Sequence, residues 1–537
     1  MTTLAKTIDA STLKALLDGP DEIALIDVRE QAAYGASHPI LAANIPLGQL
    51  ELRVGDVIPR RSTPIVVEDA GEGLAQRAAE RLSGFGYTNV AVLEGGTPAW
   101  SAAGFELFSG MHVPSKAFGE FVEHAYGTPS ISADELKGFM DQGRKMVVLD
   151  SRPLDEYRVM NIPTGIDMPG AELVYRVGEV APDPNTLVVV NCAGRTRSII
   201  GAQSLINAGI PNQVVALRNG TMGWHLSGYA LEHGRETMAP EPTAETLNEA
   251  QARAADAAKR FGVKTVDAAT LDKWRAETDQ RTLAILDVRT VGEFEASRIP
   301  DSRHAPGGQL VQSTDIYLPV RNARVVLVDD KRVRADMTAS WLVQLGWESV
   351  YVLDSGLDDQ ALASGSFAPT VLGVDDLPAA ETVSAADAKA LLGSGGAVLL
   401  DLARALDYRD EHAEGAWWAS RVAIADNLGK IPDDTRILLT APTPALARLT
   451  ASDLSGTGRK VAVVDGGTAA WKAAGLPMQS GMTAVLSEPD DSYLRPYDRS
   501  NKAEIEKAMN EYLSWEIALV EQIKKAGGIA FRQFSEI

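Results

Sequence analysis

The chain has 537 residues, 45% of them hydrophobic and 23% charged, and a net charge of −21 at neutral pH. At roughly 150 residues per domain this is material for three or four packed cores, and the acidic balance excludes general nucleic-acid binding, since most of the surface would repel a phosphate backbone. One cysteine, Cys192, excludes an intrachain disulfide framework.

The first stretch, Met1 to Gly19, lacks the long apolar core of a signal peptide. No apolar run approaches the ~18 residues of a membrane span, so a soluble cytoplasmic protein with no membrane role is expected. Further on, one plan recurs four times. Apolar segments end in an acidic residue at Asp27, Asp150, Asp287 and Asp401, and the first three carry an arginine two positions later, Arg29, Arg152 and Arg289. A second apolar run follows in each (PIVVED, LVVVNC, RVVLVD, RILLTA), then a helical pattern, a glycine and a third short strand. Three repeats finish Gly-x-x-x-Trp, at Trp100, Trp224 and Trp471, which reads as core or interface packing. Each repeat predicts a mostly parallel sheet flanked by helices, an α/β fold.

Between the repeats, Val113 to Gly127 reads as a short helix. The stretch 236–261 is Pro-rich and then Ala-rich, a linker helix that suggests two halves of two domains each. The predicted units are 1–112, 128–235, 262–370 and 378–482, followed by a tail and helix over 483–537. In that last helix Asn501 is the expected N-cap, with Glu504 three residues on. Ile505, Met509, Leu513, Ile517 and Val520 form its expected apolar face, packed on the body of the protein or on a second subunit of a homodimer.

Cys192 opens the loop between a β-branched strand and a helical pattern, VVVNCAGRTRSIIGAQSL. Loops at the carboxyl ends of parallel strands are where ligands bind. The N–H groups of a tight loop, the positive end of the next helix and two arginines, Arg195 and Arg197, all favour a thiolate there. A structural cysteine has no need of such neighbours. Gly194 is expected to let the backbone turn and Ser198 to cap the helix.

Asp-x-Arg early, Cys-Ala-Gly-Arg-Thr-Arg-Ser in the middle and Gly-x-x-x-Trp late resemble the rhodanese sulfurtransferase family. The resemblance covers the chain to about residue 480 as four tandem rhodanese-like domains, and is most specific in the second. It implies that Cys192 attacks the outer sulfur of a donor, becomes a persulfide and hands that sulfur to a nucleophilic acceptor. Ala193, Gly194, Arg195, Thr196, Arg197 and Ser198 would line the substrate, with Arg195 and Arg197 holding an anionic donor. The four residues between Cys192 and Arg197 match the family's short loop. Related phosphatases have one more, so sulfur transfer is favoured over dephosphorylation or arsenate reduction. The basic loop looks like the thiosulfate-using branch. Cyanide or a thiol would accept the sulfur, with a protein acceptor in a persulfide relay as the alternative; a third reading is an interaction scaffold. The resemblance calls for no cofactor, and one cysteine with scattered histidines makes no zinc constellation.

The glycine after each helix is a ruler: Gly209 lies 17 positions beyond Cys192, and the same count back from Gly86, Gly346 and Gly458 reaches Asp69, Asp329 and Ala441. No other repeat has a sulfur nucleophile. The Ala441 loop carries prolines that remove N–H donors. The third loop keeps Arg332 and Arg334 at the offsets of Arg195 and Arg197, so it is either an internal aspartate–arginine ion pair, the expected case, or a regulatory anion site. Asp150 and Arg152 recur in repeats without the thiol, which marks them as a fold-holding pair that Glu156 could join.

Overall fold

A computed structural model describes residues 6–535. Four sheets carry one design. In the second repeat the parallel strands Ser130–Ile131, Val214–Leu217, Leu187–Asn191, Met146–Asp150 and Ile166–Asp167 lie side by side in that order. Numbered by appearance in the chain this is 1-5-4-2-3, and the other three repeats have the same order. Parallel neighbours need helical crossovers, which cover both faces and account for the uninterrupted apolar strands. Trp100, Trp224 and Trp471 are buried, and their indole N–H groups donate to the carbonyls of Glu106, Ala230 and Pro477, a shared packing role.

The repeats do not pair off as two sequential halves. The linker helix Ala244–Arg260 packs Ala250, Ala254 and Ala257 between the second and third repeats, because a stripe of small residues lets helices approach closely. Val333 and Met337 of the third repeat share a core with Leu173 and Val174 of the second. The Trp341 indole donates to Ser204 Oγ across the same boundary at 2.8 Å. The third repeat also lends the strand Val320–Arg321 antiparallel to Ile23–Asp27 of the first sheet. The first repeat meets the fourth through Arg421, 2.8 Å from Glu51.

The last helix, Lys502–Ala526, begins as expected: Asn501 Oδ1 accepts from the Glu504 N–H at 3.1 Å. Its face differs from the expected one. Met509, Leu513, Glu516, Leu519 and Ile523 are buried and Ile517 is exposed. A run of four-residue steps drifts off a 3.6-residue period, whereas mixed steps of three and four hold one side. Among the described residues, no helix is long and apolar enough to cross a membrane.

Candidate active site

The buried strand Leu187–Asn191 delivers Cys192 to the carboxyl edge of the second sheet, where it is 2% exposed. Its carbonyl accepts from the Thr221 N–H at 2.8 Å. The preceding Gly220 has φ +52°, and a Cβ there would lie 2.2 Å from the Cys192 carbonyl, so no other residue fits. The helix Thr196–Asn207 starts directly after the loop. Ser198 does not cap it, contrary to expectation; its hydroxyl donates to Cys192 Sγ at 3.1 Å. Gly194 needs no left-handed turn either. A Cβ there would meet Tyr512 at 3.1 Å and Glu516 at 3.4 Å, so its missing side chain admits the last helix.

The two arginines diverge. Arg195 turns from the role expected of it: its Nε and Nη2 donate to Glu120 at 2.6 and 2.8 Å, Nη2 also to Glu123, and Nη1 to Asn219 at 3.3 Å. Both glutamates sit on the helix Val113–Tyr126, which the sequence showed only as a connection. Arg197 stays beside the sulfur and makes two 2.8 Å bonds to Glu156. Burial opposes its charge, but Glu156 and the nearby Cys192 sulfur raise its pKa. Burial likewise works against the Glu156 carboxylate, but Arg197 and then Arg152 hold it down at about 2. Asp150 and Arg152 are buried and bonded at 2.7 and 2.8 Å, and Arg152 Nη2 reaches the Met160 carbonyl at 2.6 Å. Arg29 and Arg289 make the same fork to Ser37 and Ser297, which identifies a loop clamp common to three repeats.

The last helix and the segment before it roof the loop. Met509 and Leu513 pack with Met222 and Ala193, and Tyr497 bonds Thr221 between hydroxyls at 3.0 Å. Thr196 donates its hydroxyl to Glu516 Oε1, and Lys116 Nζ lies 3.7 Å from the same oxygen. His225 lies 3.6 Å from Glu506 at the rim of this roof. Sequence reasoning missed Glu516, Tyr512, Tyr497 and Lys116; the signal available was a glutamate set among the apolar positions of an otherwise amphipathic helix.

The sister loops show what the backbone binds. In the first repeat Asp69 accepts from the N–H groups of Gly71 at 2.9 Å and Ala75 at 3.0 Å. In the third, Asp329 accepts from Lys331 at 3.2 Å, Arg334 at 2.7 Å and Ala335 at 3.3 Å. These donors lie two, five and six positions beyond the aspartate, which in the second repeat are Gly194, Arg197 and Ser198. A carboxylate thus fills from within the nest that the Cys192 loop presents. Both arginines of the third loop are paired with carboxylates. Arg334 is fully buried against Asp329, Asp330, Glu293 and Glu172, and Arg332 is bound to Asp336 and Asp354. The third loop thus holds the internal aspartate–arginine pair expected of it.

A family model described as Rhodanese-like domain matches residues 9–103, 132–227 and 267–361. Comparison with curated proteins gives no match. Among solved structures, the crystal structure of a thiosulfate sulfurtransferase from Pseudomonas aeruginosa is 46% identical over 99% of this chain and 100% of its own, with a TM-score of 0.93. The Alr3790 protein from Anabaena sp. is 24% identical over 18% of this chain and 81% of its own, with a TM-score of 0.17. An anaerobic ergothioneine biosynthesis enzyme from Chlorobium limicola is 18% identical over 68% and 100% of the two chains, with a TM-score of 0.23. With three of its four repeats matched by the family model and 99% of its length matched by the Pseudomonas enzyme, the chain belongs to the rhodanese family of sulfurtransferases.

Proposed function

We propose that the protein moves sulfane sulfur from thiosulfate to a thiophilic acceptor through a persulfide on Cys192. The Cys192 thiolate attacks the sulfane sulfur, the S–S bond of thiosulfate breaks, and its electron pair leaves with sulfite. Cyanide or a thiol then takes the outer sulfur and returns the thiolate. The N–H groups of Gly194, Arg197 and Ser198 hold the added sulfur, with Ala193 and Thr196 completing the loop. Ser198 steadies Sγ by its hydroxyl, and Arg197 supplies positive charge oriented by Glu156. Arg195 holds the loop to its neighbouring helix, and Asp150 with Arg152 fixes the loop beneath. We take units 1–112, 128–235, 262–370 and 378–482 as four domains, of which the second is catalytic.

One observation carries this reading: the second loop offers a thiol where the first and third offer an internal carboxylate to N–H groups two and six positions on. A small donor is favoured over a protein partner because Cys192 lies 2% exposed under the last helix. The test is thiocyanate formation from thiosulfate and cyanide. Wild type should turn over at least about 10³-fold faster than Cys192→Ser, as expected for loss of a covalent nucleophile. Equal rates would remove the proposal.

A further inference from the structure

We infer that Glu516, brought over the loop by the last helix, takes the proton from a thiol acceptor as that thiol attacks the Cys192 persulfide; this rests on the persulfide reading above. Glu516 is fully buried at the start of the helix that follows Cys192. Its two oxygens differ. Oε1 accepts from the Thr196 hydroxyl and has Lys116 Nζ at 3.7 Å. Oε2 is buried with no hydrogen-bond partner and lies 3.4 Å from the point a Cβ on Gly194 would occupy. An unpaired buried carboxylate oxygen costs free energy, and such a group calls for an explanation in function. A helix-anchoring role would use Oε1 alone. Oε2 instead faces the loop whose N–H groups would hold the outer sulfur, at a place where the chain has no side chain.

The chemistry needs such a group. Thiosulfate and sulfite carry no proton on the reacting sulfur, but a thiol does, and near pH 7 a free thiol is mostly protonated. In the step proposed, the acceptor S–H bond breaks and its proton passes to Glu516 Oε2. The freed electron pair forms a bond to the outer sulfur, and the bond between Sγ and the outer sulfur breaks with its pair returning to Cys192 as thiolate. The acceptor leaves as a persulfide and Glu516 releases the proton to it or to water. The charged and titratable groups around Glu516 are Lys116, Arg195, Glu120 and Tyr512, with the Cys192 sulfur beyond.

The experiment separates loading from unloading. Wild type and Glu516→Gln are loaded with thiosulfate, then discharged into sulfite or into glutathione in single turnover at several pH values. The variant should load and discharge into sulfite within about twofold of wild type, but discharge into glutathione about 10²-fold more slowly at pH 7, the worth of a general base. That gap should close above the pKa of glutathione, where no base is needed. Equal losses toward both acceptors, or no loss toward glutathione, would overturn the assignment. If Glu516→Gln fails to fold, wild type is discharged at pH 7 into thiols of graded pKa. Rates that hold up as the thiolate fraction falls support Glu516, and rates proportional to that fraction overturn it. Failure of thiosulfate to load Cys192 would count against the proposed function instead, and loading with inorganic polysulfide would still decide the role of Glu516.

Discussion

Asp69, Cys192 and Asp329 stand at one position in three repeats, each at the carboxyl end of a central strand. The aspartates satisfy N–H groups of their own loops with their own oxygens, whereas Cys192 places a thiol at that position. One position earlier lies a second contrast. Asn191 donates to Asp150 at 3.1 Å, while its counterpart Glu68 is fully buried beside Asp27 with neither oxygen partnered. Burial, then the Asp27 charge, raises the Glu68 pKa well above its ordinary value of 4.5. The folded state therefore holds this proton more tightly than the unfolded chain. Its stabilising effect is complete below pH 4.5 and declines as pH rises toward the folded pKa. Glu68→Gln should restore the amide donor seen at Asn191 and gain on the order of 1 kcal/mol at pH 8 with little gain at pH 4. Thermal unfolding at the two pH values checks this, and an equal change at both would refute it.

At the scale of elements, what the sequence made legible was local. Strand, Cys192 loop and helix are consecutive, so spacing alone placed Cys192 at the carboxyl end of its strand and the ruler of 17 residues aligned its sisters. The diversion of Arg195 was illegible because Glu120 and Glu123 come from another helix more than 70 residues upstream. The roof was illegible for the same reason, since Glu516 meets Thr196 across 320 residues. Of the two places expected for the last helix, the body of the protein or a second subunit, its buried side lies on the body, and that side runs through Glu516 rather than the expected Ile517. Cys192 is 2% exposed and the last helix lies against the loop at Gly194, so this helix is expected to control access to the sulfur. Leu513→Asp removes a buried contact worth about 2–4 kcal/mol, which should raise the open fraction and speed alkylation of Cys192 by iodoacetamide about 30- to 700-fold. An unchanged alkylation rate would show that the helix does not control access.

The whole molecule is one plan used four times, with differing chemistry in the loops. The third repeat braces both the first and the second, through the strand Val320–Arg321 and through the core shared by Leu173, Val174, Val333 and Met337. Gln309 of the third repeat accepts from Arg197 at 3.2 Å, so the Cys192 loop is also held from a neighbouring repeat. The expectation of two sequential halves failed because the Ala-rich linker is a packing element and not a spacer. On the proposed function, one loop of the four, at Cys192, carries the chemistry. Mass spectrometry of the intact protein after incubation with thiosulfate tests that claim most directly. The expected result is the mass of one added sulfur atom per chain, located on Cys192 and absent from Cys192→Ser; a wild-type chain that gains no sulfur would refute the assignment.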